Sequence, residues 1–171
     1  MRYFFENTHS GKIQKKTNYD FEYIKWMKYV LRRSEEVGKY ELPISAVIID
    51  EKGRCIGRGN NTRSRNNDPL GHAEIIALRQ ASLIKNDWRF NECVIITNLE
   101  PCTMCSSALI QARIGGVIFG AYDKKRGGLG GSINLAEHKS SHHKMEILGG
   151  VLEKECKLRL QLWFKKLRNR K

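Results

Sequence analysis

A chain of 171 residues, 40% hydrophobic and 29% charged, is long enough for one domain with a real core. It has no run of the roughly 18–20 apolar residues that a membrane helix needs. Lys and Arg total 31 against 18 Asp and Glu, a net charge of +13 that points to a polyanionic partner, most simply nucleic acid. A membrane surface is the weaker choice of partner, because no basic amphipathic helix leaves a bulky apolar face free to insert.

The five cysteines, an odd number with no secretory leader in view, argue against a disulfide framework and for a cytoplasmic protein. Cys55, Cys93 and Cys156 fall in apolar stretches and are expected as buried thiols. Residues 1–19 are polar and mildly basic, with Lys12, Lys15 and Lys16, and read as an extended arm ahead of a domain spanning 20–171.

The first helix is expected from Asp20, a capping residue, to Gly38, with Phe21, Ile24, Met27 or Tyr29, and Leu31 at helical spacing. Residues 44–50 are short and β-branched and predict a buried strand. Glu51-Lys52-Gly53 predicts a hairpin turn, and Arg54–Gly59 the returning strand. A polar loop (60–71) leads to a helix over 72–84. Cys93–Thr97, Cys102–Ala112 and Gly116–Gly120 then read as strand, helix, strand, which implies parallel neighbours joined by a right-handed crossover. After the Gly-rich stretch 127–131, a short fifth strand is expected at 145–148. A final helix follows over 153–168, with Leu158, Leu162 and Leu167 as candidates for its buried side. The expected fold class is α/β: a three-layer α/β/α sandwich with one mixed sheet of about five strands.

Cys102 and Cys105 are spaced to put both thiols on one side of a helix's first turn, where exposed backbone N–H groups favour thiolates. His72 opens another helix and supplies a nitrogen. With no second Cys-x-x-Cys in the chain, the set is three protein ligands and one open position, the pattern of a catalytic zinc. Glu74, in the same turn as His72, is then placed to move protons between an activated water and a substrate. Lone Cys-x-x-Cys or His-x-Glu patterns carry little weight; the combination carries much more.

The combined signature, His72-Ala73-Glu74 with Pro101-Cys102-Thr103-Met104-Cys105, is the one known for zinc nucleobase deaminases. From about Tyr23 onward the sequence resembles the bacterial tRNA-specific adenosine deaminases, which share the cytidine-deaminase-like fold. The matching stretches include Asp68-Pro69, Ala77-Leu78-Arg79-Gln80, Leu99-Glu100 before the Pro-Cys motif, and Ala112-Arg113-Ile114-Gly115. Others are Gly120-Ala121-Tyr122-Asp123 with Lys125 and Gly127, His143 with Glu146-Ile147, and 163–168.

The resemblance implies hydrolytic conversion of the wobble adenosine of a tRNA anticodon to inosine by a homodimer with one Zn2+ per subunit. It places His72, Cys102 and Cys105 on the zinc ligands and Glu74 on the proton shuttle. Asn61 falls on a contact to the target base. Asp123, Lys125, His142, Trp163, Phe164 and Arg168 fall on or beside contacts to the anticodon loop. Departures from the family are Asn98 for threonine, Asn60 for tryptophan, Arg63 for proline, His142 for asparagine, and an extra residue within 129–131.

From Glu153 to Lys171 there are eight Lys or Arg against two Glu, with Trp163 and Phe164 among them. That mixture suits stacked bases and phosphates. Two other readings stay open on sequence alone. A zinc deaminase of a free nucleobase or nucleotide, of guanine or cytosine type, has no need of so large a positive charge. A non-catalytic, zinc-stabilised RNA-binding module has no use for Glu74.

Overall fold

The computed structural model describes residues 21–169. The expected arm at 1–19 and the Asp20 cap lie outside the described residues. In chain order the elements are α1 (Phe21–Glu35), β1 (Ser45–Ile49), β2 (Cys55–Asn60), α2 (Ala73–Lys85), β3 (Val94–Leu99), α3 (Thr103–Gln111), β4 (Gly116–Ala121), β5 (Glu146–Gly149) and α4 (Glu153–Arg168). The five strands form one sheet in the order β2-β1-β3-β4-β5. β1 is antiparallel to both β2 and β3, whereas β3, β4 and β5 run parallel. The mixed pairing follows from the connections: a tight turn joins β1 to β2, and α3 carries the chain back between β3 and β4.

Alternation along the strands divides the apolar residues between two cores. Ala46, Ile48, Ile95, Val117 and Phe119 face Ala73, Ala77 and Ala81 of α2 and Leu109 of α3. Val47, Ile49, Val94, Ile96 and Ile118 face Tyr23, Met27 and Val30 of α1 and Cys156 of α4. The central strands are therefore apolar on both faces, and the molecule is the expected α/β/α sandwich.

The β1–β2 turn is built by Asp50. Its carboxylate accepts the backbone N–H groups of Lys52 (3.0 Å) and Arg54 (2.8 Å), and Arg54 Nε donates to it at 2.7 Å. Gly53 takes the positive φ of 75° that the turn requires.

α2 lies unusually close to β2. A methyl group at Gly59 would fall on the Ala73 carbonyl oxygen, and one at Gly57 on the Ala77 carbonyl oxygen. The small stripe Ala73, Ala77, Ala81 completes the fit and fixes where the start of α2 stands over the sheet edge.

The strands form within one or two residues of expectation, but the phase of the two outer helices differs. α1 buries Tyr23, Met27 and Val30; Ile24 and Leu31 are only half-buried. On α4, Leu158 and Leu162 are 54% and 46% exposed, against the expectation. Its inward line is Cys156 and Leu160, continuing through the half-buried Trp163 and Leu167. Cys93 and Cys156 are buried thiols as expected, their pKa values pushed by burial up to about 11 and about 12. Cys55 is only half-buried.

Candidate metal centre and active site

Two helix N-termini converge at one end of the sheet. His72 occupies the N-cap position of α2, and Cys102 that of α3, both with extended backbone. Cys105 follows in the first turn of α3. The Nδ1 atom of His72 lies 3.7 Å from the Cys102 Sγ and 3.4 Å from the Cys105 Sγ. All three donor atoms fall within 4.8 Å of one another.

A tetrahedral zinc with usual Zn–N and Zn–S bonds places N and S about 3.6 Å apart, so the observed separations fit that ion. Cys105 is fully buried, whereas His72 and Cys102 are partly exposed, which leaves the open side of the trio toward solvent. Among the described residues these three form the group able to hold a metal.

The donors titrate as a set. The hydrogen bond from the Cys105 thiol, aided by His72, lowers the Cys102 pKa to about 4. The His72 pKa is raised, chiefly by its bond with Cys102. Cys105 is raised because its proton is held between Cys102 and a buried setting. A divalent cation among them displaces these protons, so its uptake is coupled to proton release.

Glu74, in the first turn of α2, is 4% exposed, and burial pushes its pKa up to about 7. A carboxyl with that pKa is able to give and take a proton at neutral pH.

Two further acids, given no chemistry by the sequence reading, hold the loops around this centre. Glu100 is 2% exposed and accepts three backbone N–H groups, from Asp123 (2.9 Å), Leu129 (3.0 Å) and Gly131 (2.8 Å). Methyl groups at Gly127 or Gly131 would strike its carboxylate, which explains the glycines there. The Gly128 N–H adds a bond to the Pro101 carbonyl at 2.9 Å. The segment 123–131 is thereby folded onto the metal-binding turn. Glu41, 3% exposed, accepts from Asn61 Nδ2 at 3.1 Å and from the Arg65 backbone N–H. In the sequence both look like ordinary acids two residues or fewer from a proline; their partners lie 20–31 residues away.

Asn61 stands at the foot of the 60–71 loop. Its N–H bonds the Ile44 carbonyl at 3.0 Å, and the next residue, Thr62, bonds Gly71 at 2.9 Å. The loop therefore closes one residue past Asn61 and one residue before His72. Asp123 is half-buried, and its side chain caps the turn that follows by accepting the Lys125 and Arg126 N–H groups at 2.9 and 3.1 Å. Lys125, His142 and Arg168 are exposed, as is Phe164 at 44%. The neighbour of His142, His143, instead donates from Nε2 to the Ile114 carbonyl at 2.8 Å.

Trp163 is half-buried, edge-on to Phe164, with its Nε1 buried. It lines a cleft of about 270 Å³ between α1 and α4 with Lys39, Pro43, Arg159, Leu162 and Lys166.

Of the departures from the family, Asn98 has a structural explanation. It is fully buried, accepts the Ser45 N–H at 2.9 Å and donates to the Pro43 carbonyl at 2.9 Å, so it fixes the entry to β1. Asn60 pairs with Ser45 in the β-ladder, and Arg63 is exposed on the loop.

The family model of the cytidine and deoxycytidylate deaminase zinc-binding region matches residues 21–121. A tRNA-specific adenosine deaminase of Haemophilus influenzae is 37% identical over 150 residues, 86% of each chain. One of Bacillus subtilis is 36% identical over 140 residues, 82% of this chain and 85% of its own. A solved structure described in work on A-to-I editing by tRNA:A34 deaminases at the wobble position superposes with a TM-score of 0.76 at 32% identity, covering 80% of this chain and 99% of that one. A guanine deaminase from Nitrosomonas europaea superposes with a TM-score of 0.66 at 20% identity, covering 80% and 81%, a likeness of fold alone.

Proposed function

This chain belongs to the tRNA-specific adenosine deaminases, within the family of the cytidine and deoxycytidylate deaminase zinc-binding region, and from that premise we propose that it hydrolytically deaminates adenosine to inosine at the wobble position of a tRNA anticodon. The observation that carries this reading is the constellation of His72 Nδ1, Cys102 Sγ and Cys105 Sγ at zinc-binding separations with the buried acid Glu74 on the same helical turn. Bound by these three residues, zinc supplies a Lewis acid that lowers the pKa of a coordinated water to about 7.

Glu74 takes a proton from the attacking water and delivers it to N1 of adenine, which makes C6 the electrophile. After the water oxygen has added to C6, Glu74 takes the remaining proton from that oxygen and passes it to the exocyclic nitrogen; the C6–N6 bond breaks, ammonia leaves, and the oxygen stays on C6 as the carbonyl of inosine. Its pKa of about 7 suits both directions of transfer. The target base has to leave its stack, which costs least in a single-stranded loop.

Asn61, at the loop foot beside His72, is assigned to the base itself. The basic surface of α4, with Phe164 exposed and Trp163 in a cleft flanked by Lys39 and Lys166, is assigned to the anticodon loop together with Asp123, Lys125, His142 and Arg168. A homodimer and a cytoplasmic location complete the reading; no described helix is long and apolar enough to cross a membrane.

The test is incubation with a transcribed tRNA bearing adenosine at the wobble position, followed by sequencing for inosine. Free adenosine, cytidine and guanine serve as rival substrates. Conversion of guanine or cytidine in preference to the tRNA would overturn the assignment.

A further inference from the structure

We infer that Glu41 is a positioning residue that sets the polarity with which the Asn61 carboxamide meets the substrate base. The inference rests on the assignment of Asn61 to the base made above. A carboxylate only accepts hydrogen bonds. The Asn61 group turned toward Glu41 Oε2 is therefore Nδ2, and Oδ1 points the other way. The other carboxylate oxygen is engaged by the Arg65 backbone N–H. That donor belongs to the main chain of the 60–71 loop and cannot be reversed. The loop in turn is closed between Thr62 and Gly71 and runs directly into His72.

Burying a carboxylate to 3% exposure is costly unless it is satisfied. A glutamine would hold the loop without burying a charge. What the glutamine cannot do is accept from both partners. With its single carbonyl oxygen kept on the Arg65 N–H, its amide nitrogen faces Asn61, and the Asn61 carboxamide has to turn by 180° to offer Oδ1. The fold and loop survive, but the base meets the opposite pattern of donors and acceptors. Glu41 therefore does what no neutral residue of its size can do at this position.

Glu41→Gln tests this in the zinc-loaded protein. It is expected to keep its zinc, its thermal stability and, within about twofold, its tRNA affinity, which comes mainly from phosphate contacts. It is expected to lose about tenfold or more in kcat/KM. The same substitution in an Asn61→Ala background is expected to cost almost nothing further, because its effect passes through Asn61. An equal loss in both backgrounds would show that Glu41 acts only on the loop or the metal, and would overturn the inference. So would a normal Glu41→Gln enzyme beside an impaired Asn61→Ala enzyme.

If Asn61→Ala is fully active, the assignment of Asn61 fails and the inference falls with it. A measurement independent of turnover decides the polarity itself. One side-chain amide proton of Asn61, shifted downfield in the NMR spectrum by its carboxylate acceptor, is expected to lose that shift in Glu41→Gln. An unchanged signal refutes the reversal. This readout holds even if wobble adenosine is not the substrate.

Discussion

Replacing Glu74 by Gln removes one ionisable proton from the centre while keeping nearly the same volume, and its consequences can be worked out for both catalysis and stability. Burial raises the Glu74 pKa from an ordinary 4.5 to about 7. At about 1.4 kcal/mol per pH unit, that shift corresponds to roughly 3 kcal/mol. Between pH 4.5 and 7 the folded chain retains a proton that the unfolded chain has released. Stability therefore falls as pH rises through that window, and the full cost is present above 7. Glutamine has no such proton.

In metal-free protein, Glu74→Gln is expected to match the parent near pH 4 and to exceed it by about 3 kcal/mol above pH 7 in denaturant unfolding. In the zinc-loaded enzyme it is expected to retain zinc by elemental analysis and to lose about 10²–10⁴-fold in turnover. Turnover within tenfold of the parent would refute the shuttle. A stability difference that does not change with pH would refute the burial argument, and loss of zinc would move the defect to the ligands.

Three other outcomes follow from the geometry. Glu100→Ala removes the acceptor for three backbone N–H groups and frees the 123–131 segment. It is expected to destabilise the protein by about 2–4 kcal/mol and to make the chain sensitive to limited proteolysis within that segment; unchanged stability would deny it the clamping role. Gly59→Val pushes α2 away from β2 and shifts His72 with it. The expected result is weakened zinc binding in a competition titration with a chelator, and unaltered affinity would mean the helix start is not set by this contact. Lys165→Gln, Lys166→Gln and Arg168→Gln together are expected to reduce the slope of log affinity for tRNA against log salt by about 2, three phosphate contacts at about 0.7 each. An unchanged slope would remove the end of α4 from the RNA interface.

The metal centre was legible in the sequence because its geometry is local. A Cys-x-x-Cys at a helix start puts Cys102 and Cys105 on one turn, and His72 with Glu74 does the same on another; the first turn of a helix looks alike in every fold. The strands were legible for a related reason, since runs such as Val94–Ile96 bury both faces whatever packs on them. The phase of α4 was not. Its apolar residues, Leu158, Leu160, Leu162, Trp163, Phe164 and Leu167, surround much of the helix, and only docking against β4 selects Cys156 and Leu160 as the inward line.

The two loop-holding acids were hidden for a deeper reason. A carboxylate's role depends on its donors, and those of Glu41 and Glu100 are backbone or amide N–H groups tens of residues distant, with no pattern of their own in the sequence. The sequence by itself determined the three residues placed to hold a metal, the acid on the same helical turn as His72 and the parallel crossover that brings a strand to α3. The tertiary structure decided how the separate helix starts meet within 4.8 Å, and which buried charges hold the surrounding loops against them. Ligand spacing along one turn is a property of the chain, whereas the approach of α2 to α3 is set by the packing of Ala73 and Ala77 on Gly57 and Gly59 across the sheet.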